Sequence, residues 1–331
     1  DVLVGESPEN ASYRERLAAL LFNLGNRLRR DRARAERCWL DGLAHVDHLL
    51  AAHGDDWRWC MLGARTAMNL AIGYALDDDP RAPATFARAR ARTDQVLRLR
   101  PDDLSSCQLR GLLLFNEGAF RVEHGEIDAG TPLLGQAFEQ AVETLALTPG
   151  NARRAAEVVR WGVRWAQVCG LRDGADADAA WAAVERRFTA LPDDLRRTLR
   201  EDDAARLDVL MLWRARAASA ARDGVPDGVE RLEGVVADLA LLQHDDPSAA
   251  GRAEYLLALV DAVVLGRGAT DAAAAAGYRS AARAALEAWP AEEPCNEVTR
   301  LRLLRRRADC EALLGDRAEA EAAFARLLAA H

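Results

Sequence analysis

Three asparagines, Asn23, Asn69 and Asn116, stand 46 and 47 residues apart. A primary amide both donates and accepts hydrogen bonds, so a row of them can pair with an extended main chain whatever its side chains. The same amides can instead bond to neighbouring backbone and fix how the elements carrying them stack, and both readings stand at this point. Arg65, Arg160 and Arg164 could add positive charge to the same face. Trp161 and Trp165, four apart beside the last two arginines, suit either a cation–π wall or a buried contact between helices. Asp41, His45 and His48 fall at helical spacings, with His53 nearby. A metal site is conceivable there, and exposed helix polarity is the plainer reading.

Signatures of enzyme chemistry are missing. The chain has no G-x-S-x-G, no Walker-type glycine loop, no H-E-x-x-H and no kinase catalytic loop. All 44 basic residues are arginine, so a phosphate site that relies on lysine cannot be built in the usual way. GC-rich coding explains the missing lysine; avoidance of lysine modification is the sharper alternative. The carboxylate pairs Asp193-Asp194 and Asp245-Asp246 are expected at helix starts, where they complement the macrodipole. The cysteines Cys38, Cys60, Cys107, Cys169, Cys295 and Cys310 are scattered singly. They form no zinc or redox spacing and suit small, reduced, buried residues of a cytoplasmic protein. No catalytic residue, metal or cofactor is expected.

The elements that must position these residues are helices. Half of the 331 residues are apolar but only 6% are aromatic, and isoleucine occurs only at Ile72 and Ile127. Alanine, leucine, arginine and acids dominate, which favours helix, and no β-branched run alternates with polar residues. A net charge of −8 with interspersed signs argues against a general nucleic-acid binder, and the runs at Arg27–Arg30 and Arg305–Arg307 read as solvated faces. No signal peptide is expected, and no apolar run is long enough to cross a membrane. The first residue is aspartate, as expected of a processed chain or an excised piece.

Leu21, Leu24 and Leu28 flank Gly25, and Ala35-x-x-x-Trp39 follows a short arginine-rich turn. Small residues let two helix axes approach while large ones fill the space beside them. The pattern recurs with drift. Gly25, Ala71, Gly118, Val163, Ala217, Leu259 and Ala308 are separated by 46, 47, 45, 54, 42 and 49 residues. Breaks fall at Gly54-Asp55-Asp56, Asp77–Pro80, Pro101, Gly125, Pro149-Gly150, Gly170, Pro192, Gly224, Pro247, Gly266–Gly268 and Pro290. A near-constant period predicts an all-α solenoid of about seven helical hairpins in one domain, 1–331. The expected pairs cover 10–53, 57–100, 103–148, 151–191, 194–244, 247–289 and 296–331.

These residues resemble tetratricopeptide repeats, whose pattern is a large residue, Leu-Gly, a large residue, then Ala-x-x-x-aromatic and a closing proline. Leu21-x-x-Leu24-Gly25-x-x-Leu28 with Ala35-x-x-x-Trp39 fits, as does Leu314-Gly315-Asp316 with Ala320-x-x-x-Phe324. Ala67-x-x-Leu70-Ala71-x-x-Tyr74 fits in part, and Pro101, Pro149 and Pro192 match the closing proline. Repeats four to six are degenerate and the period is longer than the family's usual one. The opening Ser7-Pro8-Glu9-Asn10-Ala11-x-Tyr13-Arg14 is similar to repeats of multidomain bacterial signalling proteins, notably those trailing Ser/Thr kinase domains. The resemblance implies a right-handed TPR-like solenoid whose first helices line a concave groove, with asparagines there holding a bound peptide's backbone. Asn26, one residue past Gly25, matches an asparagine of members that clamp a terminal carboxylate, although the lysines of that clamp are absent. The implied function is a non-catalytic protein- or peptide-binding scaffold. The alternative is a regulatory or sensor part of a bacterial kinase, protease or defence effector, acting in cis or in trans. Neither nucleic acid nor membrane is expected as a partner.

Overall fold

Among the described residues, seven helices begin on a side chain suited to the task. Asn10, Asp31, Asp56, Asp103, Asn151, Asp202 and Asp271 each accept a hydrogen bond from a backbone N–H two or three residues on. Each satisfies a donor that the first turn leaves without an intrahelical partner. The computed structural model describes residues 10–172, 174–225, 227–245 and 271–287, with Tyr255, Ala258, Leu259, Asp261, Ala262 and Leu265. Among the described residues the chain is all-helical, with twelve helices and no strand. They fall into two compact units, Asp1–Pro149 and Gly150–His331.

The first unit holds α1 (Ala11–Arg27), α2 (Arg32–His53), α3 (Trp57–Leu76), α4 (Ala82–Leu99), α5 (Leu104–Glu123) and α6 (Ile127–Leu147). Each odd helix packs most extensively on the even helix that follows it, giving three hairpins. The hairpins stack through their first helices, α1 on α3 and α3 on α5, and through α2 on α3 and α4 on α5.

Small residues set the intimacy within a hairpin. A Cβ at Gly25 would lie 2.6 Å from Trp39 Cδ1, so the indole occupies the space a side chain would need. Gly118 of α5 and Gly130 of α6 bring two backbones together: a Cβ at Gly130 would lie 2.7 Å from the Gly118 carbonyl oxygen. Gly125 turns the chain between those helices with φ +79, a conformation that L side chains seldom adopt.

Polar ties between hairpins recur at one repeat length. Asn69 Nδ2 donates to Asn26 Oδ1 at 2.7 Å, 43 residues away. Arg81 reaches Glu36 at 2.9 Å over 45 residues, and Arg92 reaches Asp47 at 2.9 Å over the same separation. The second unit repeats the pattern: Arg160 to Asp208 over 48 residues, Arg214 to Asp261 over 47 and Tyr278 to Glu233 over 45. Within each unit, bonds clustered at this separation join neighbouring hairpins about one repeat apart, as in a helical repeat.

One tie is buried. Glu117 of α5 is 1% exposed and sits between two arginines. Arg90 Nε of α4 stands 2.9 Å from one carboxylate oxygen, and Arg121 Nη2, one turn on, lies 3.2 Å from the other. Glu117 occupies the register position of Leu24 and Leu70. A charge held there needs both partners, because an unpaired one would be costly to bury.

The second unit holds α7 (Ala152–Arg172), α8 (Gly174–Thr189), α9 (Asp193–Glu201), α10 (Asp203–Arg222), α11 (Gly228–Asp245) and α12 (Ala272–Glu287). The pairs α7/α8 and α10/α11 form hairpins, and α10 packs on α7 and α8. Leu210, Val235, Val236, Leu239, Leu242, Leu259 and Ala282 share one apolar cluster.

Three local expectations change. The span 194–244 carries three helices: the short α9 is inserted ahead of the hairpin and accounts for the 54-residue interval between Val163 and Ala217. Gly170 does not end α7, which continues to Arg172. Asp193 and Asp194 do open a helix, but Asp245 is the last residue of α11. The seventh pair, 296–331, lies outside the described residues, as do Ala308, Cys295, Cys310, Pro247, Pro290 and 266–268.

Candidate functional site

The inserted helix shapes a cavity in the second unit. Leu195 and Leu199 of α9 are buried, and α9 packs on α7 and α10. Its end residues, Arg200 and Glu201, form one wall of a cavity of about 1250 Å³ bounded by α8, α10 and α11. Val209, Leu210, Trp213, Ala217 and Val235 supply apolar lining. Arg206, Arg216 and Arg231 add positive charge, and Asp178, Glu185, Asp223 and Asp238 add negative charge.

Part of this wall is fixed by contacts of its own. Arg216 Nε donates to Glu185 Oε2 at 2.7 Å, joining α10 to α8. Arg222 stands 3.6 Å from Asp178, a second link between those helices. Trp213 meets the buried Phe188 edge-on with 5.6 Å between ring centres, and the Arg200 guanidinium lies 5.9 Å from the Phe188 ring centre. The aromatic pair and the Arg216–Glu185 pair join α8 to α10 beside the apolar lining. The volume exceeds the roughly 300–1,000 Å³ typical of small-molecule pockets. Apolar surface and charges of both signs suit a segment of polypeptide that presents both.

None of the seven residues singled out from the sequence lines this cavity. In the first unit, Asn69 is buried and spends its amide within the fold: it donates to Asn26, and Arg29 Nη2 donates to its oxygen at 3.2 Å. Asn69, Asn26 and Arg29 thus tie α3 to the end of α1. Asn23 is exposed on α1, and Arg65 is exposed on α3. Asn116 is half-buried and donates to Leu112 O of its own helix at 2.7 Å. In the second unit, Arg160 is exposed and bonds Asp208 of α10 at 3.1 Å, while Arg164 is half-buried one turn on. Trp161 is buried and Trp165 half-buried.

His45 of α2 is engaged by Arg14 of α1, whose Nη1 donates to His45 Nδ1 at 3.3 Å. Burial first, then the nearby Arg14 charge, holds the imidazole below its ordinary range. Among the described residues no three His, Cys, Asp or Glu side chains are grouped to hold a metal ion. Cys60 and Cys169 are buried, Cys38 and Cys107 half-buried, and burial raises the thiols of Cys60 and Cys107. No helix among the described residues is long and apolar enough to cross a membrane.

The cavity residues escaped the sequence reading because arginines and acids on helices look like solvated faces. The one usable signal was the long interval ahead of Ala217, together with Asp202 as a second N-cap ten residues after Pro192. No protein-family model matches the chain, and no curated protein matches it.

Proposed function

We propose that this chain is a non-catalytic binding module, a right-handed TPR-like solenoid that takes up a segment of a partner protein in the cavity between α8 and α11. The cavity itself carries this reading: about 1250 Å³, an apolar lining with charges of both signs, and an ion pair and a ring pair that join α8 to α10 beside it. Repeat-length ties within each unit support the scaffold part, because stacked hairpins hold such a surface in place. Val209, Leu210 and Trp213 bury apolar side chains of the guest. Arg206, Arg231, Asp223 and Asp238 select among segments by charge.

Gly234 provides the test. It lies in α11 on the cavity wall, and a Cβ there would meet nothing within 4 Å. Gly234→Trp should therefore fill the cavity without disturbing the helices, and Gly234→Ala should leave it open. Random dodecapeptides selected on the wild-type chain should bind Gly234→Ala normally and Gly234→Trp at least ten-fold more weakly. Equal binding to both variants, or no peptide enriched above a scrambled control, would reject the cavity as the site.

A further inference from the structure

A second surface stands out when equivalent helices are compared. Ser12, Arg16, Leu20, Asn23, Leu24 and Arg27 fall on one face of α1, and all are exposed. Leu20 is 66% exposed and Leu24 46%. Moving one repeat along, these two positions become Thr66 and Leu70 of α3, at 1% and 3% exposure. One repeat further they become Leu113 and Glu117 of α5, at 0% and 1%.

The molecule itself shows what covers this face elsewhere. On α3 the cover is α2, whose buried residues Leu43, Val46 and Leu50 form an apolar stripe. On α5 the cover is α4, which brings Arg90 to Glu117. The natural occupant of the face is therefore an amphipathic helix with large apolar residues three and four apart. On α1 the flanking residues add a charge requirement. Arg16 and Arg27 bracket the two leucines, where α3 has Leu62 and Gly73 and α5 has Leu109 and Phe120. A second copy of α1 laid antiparallel would set arginine against arginine, a like-charge pairing that opposes self-association here. Carboxylates at the ends of the incoming helix meet the same arginines favourably.

We propose that the outward stripe of α1 is a docking surface for an amphipathic helix of another protein, one whose apolar stripe is flanked by carboxylates. Leu20 and Leu24 are the anchors, Arg16 and Arg27 set orientation and charge preference, and Asn23 adds an amide that can donate or accept. The surface lies in the first unit and owes nothing to the cavity of the second.

The probe is a stapled 18-residue helix with leucine and valine on one face and glutamates at both ends, compared with its twin carrying lysines in their place. Fluorescence anisotropy on the whole chain should show micromolar binding of the acidic helix and at least ten-fold weaker binding of the basic twin. Leu20→Ser with Leu24→Ser should weaken the acidic helix ten-fold or more. Both positions are exposed, so the helical circular dichroism should be unchanged. Arg16→Glu with Arg27→Glu should reverse the preference towards the basic twin. Equal binding of both twins, or indifference to the leucine substitutions, would overturn the proposal. So would a dimer in sedimentation that the leucine substitutions dissolve, since the face would then belong to a second copy.

Discussion

Replacing Gly130 by alanine should destabilise the first unit, against the usual effect of glycine-to-alanine in a helix. Alanine is favoured over glycine inside helices by about 1 kcal/mol. At Gly130 the added methyl would sit 2.7 Å from the Gly118 carbonyl oxygen, 3.1 Å from Val122 N and 2.6 Å from Val122 Cγ2. Two of those atoms are backbone and cannot rotate away. Ordinary contact begins near 3.4 Å, so α5 and α6 must part by about 0.7 Å at this point. A gap of that size forfeits about a quarter to a half of each dispersion contact nearby, and the fully buried Leu134 packs against Gly118 at this point. Overpacking of this kind typically costs about 1–3 kcal/mol beyond any propensity gain. The net expectation is a loss of about 1–2 kcal/mol. Gly73→Ala in α3 is the matched control. Its methyl would meet Trp39 Cζ3 and Arg32 Nη1 at 3.6 Å, ordinary distances, so it should stabilise by about 0.5–1 kcal/mol. Urea unfolding followed by circular dichroism, with equal slopes, measures both. Gly130→Ala proving as stable as the wild type would show that the helices are not in the close contact described.

Asn69→Ala should cost about 1–2 kcal/mol through its lost bonds to Asn26 and Arg29, while Asn23→Ala should stay within about 0.5 kcal/mol; urea melts compare them. Tyr74 donates to Glu36 at 2.9 Å, and burial, then Glu36, raises its phenol to about 12. Tyr74→Phe should therefore remove a late-ionising component from the absorbance titration at 295 nm and leave the earlier ones. His45 has a folded pKa below its ordinary value, so the unfolded chain binds the proton more readily. Its contribution is complete above the ordinary histidine range and is lost as pH falls through that range towards the lower folded value. The urea midpoint should drop as pH falls from 8 to 5, less steeply in His45→Gln. Glu117→Ala should destabilise more than Glu117→Leu, because leucine matches the Leu70 position while alanine leaves a hole beside two arginines; thermal melts rank them.

Hairpin boundaries were legible because glycine, proline and aspartate punctuate the chain where backbone groups need caps or turns. Gly25 with Trp39 was legible for a similar reason: one residue makes space and the other fills it. The short α9 was hidden because its opening carboxylates look like the start of one longer helix, and only Asp202 marks the second start. The asparagine row is a different case. Asn23, Asn69 and Asn116 share a register, but α2 covers the face of α3 that stays open on α1. Equal residues thus meet unequal surroundings, and Asn69 alone of the three ties two hairpins together. The cavity depended on which helices the insertion holds beside one another, information that pairwise spacing does not contain.

The carboxylate of Glu117 also writes an address into the array. At the matching place the second hairpin offers Leu70, which would sit under almost any greasy neighbour, whereas the third offers a charge answered from α4 by Arg90. The residue of α2 one repeat before Arg90 is Ala44, which has no cation to give. Transplanting the third hairpin one place earlier would leave this buried anion with Arg121 of its own helix alone and take away the cation of its neighbour. The copies, alike in outline, are therefore not interchangeable, and their sequence along the stack is enforced by electrostatics as well as by the chain that links them.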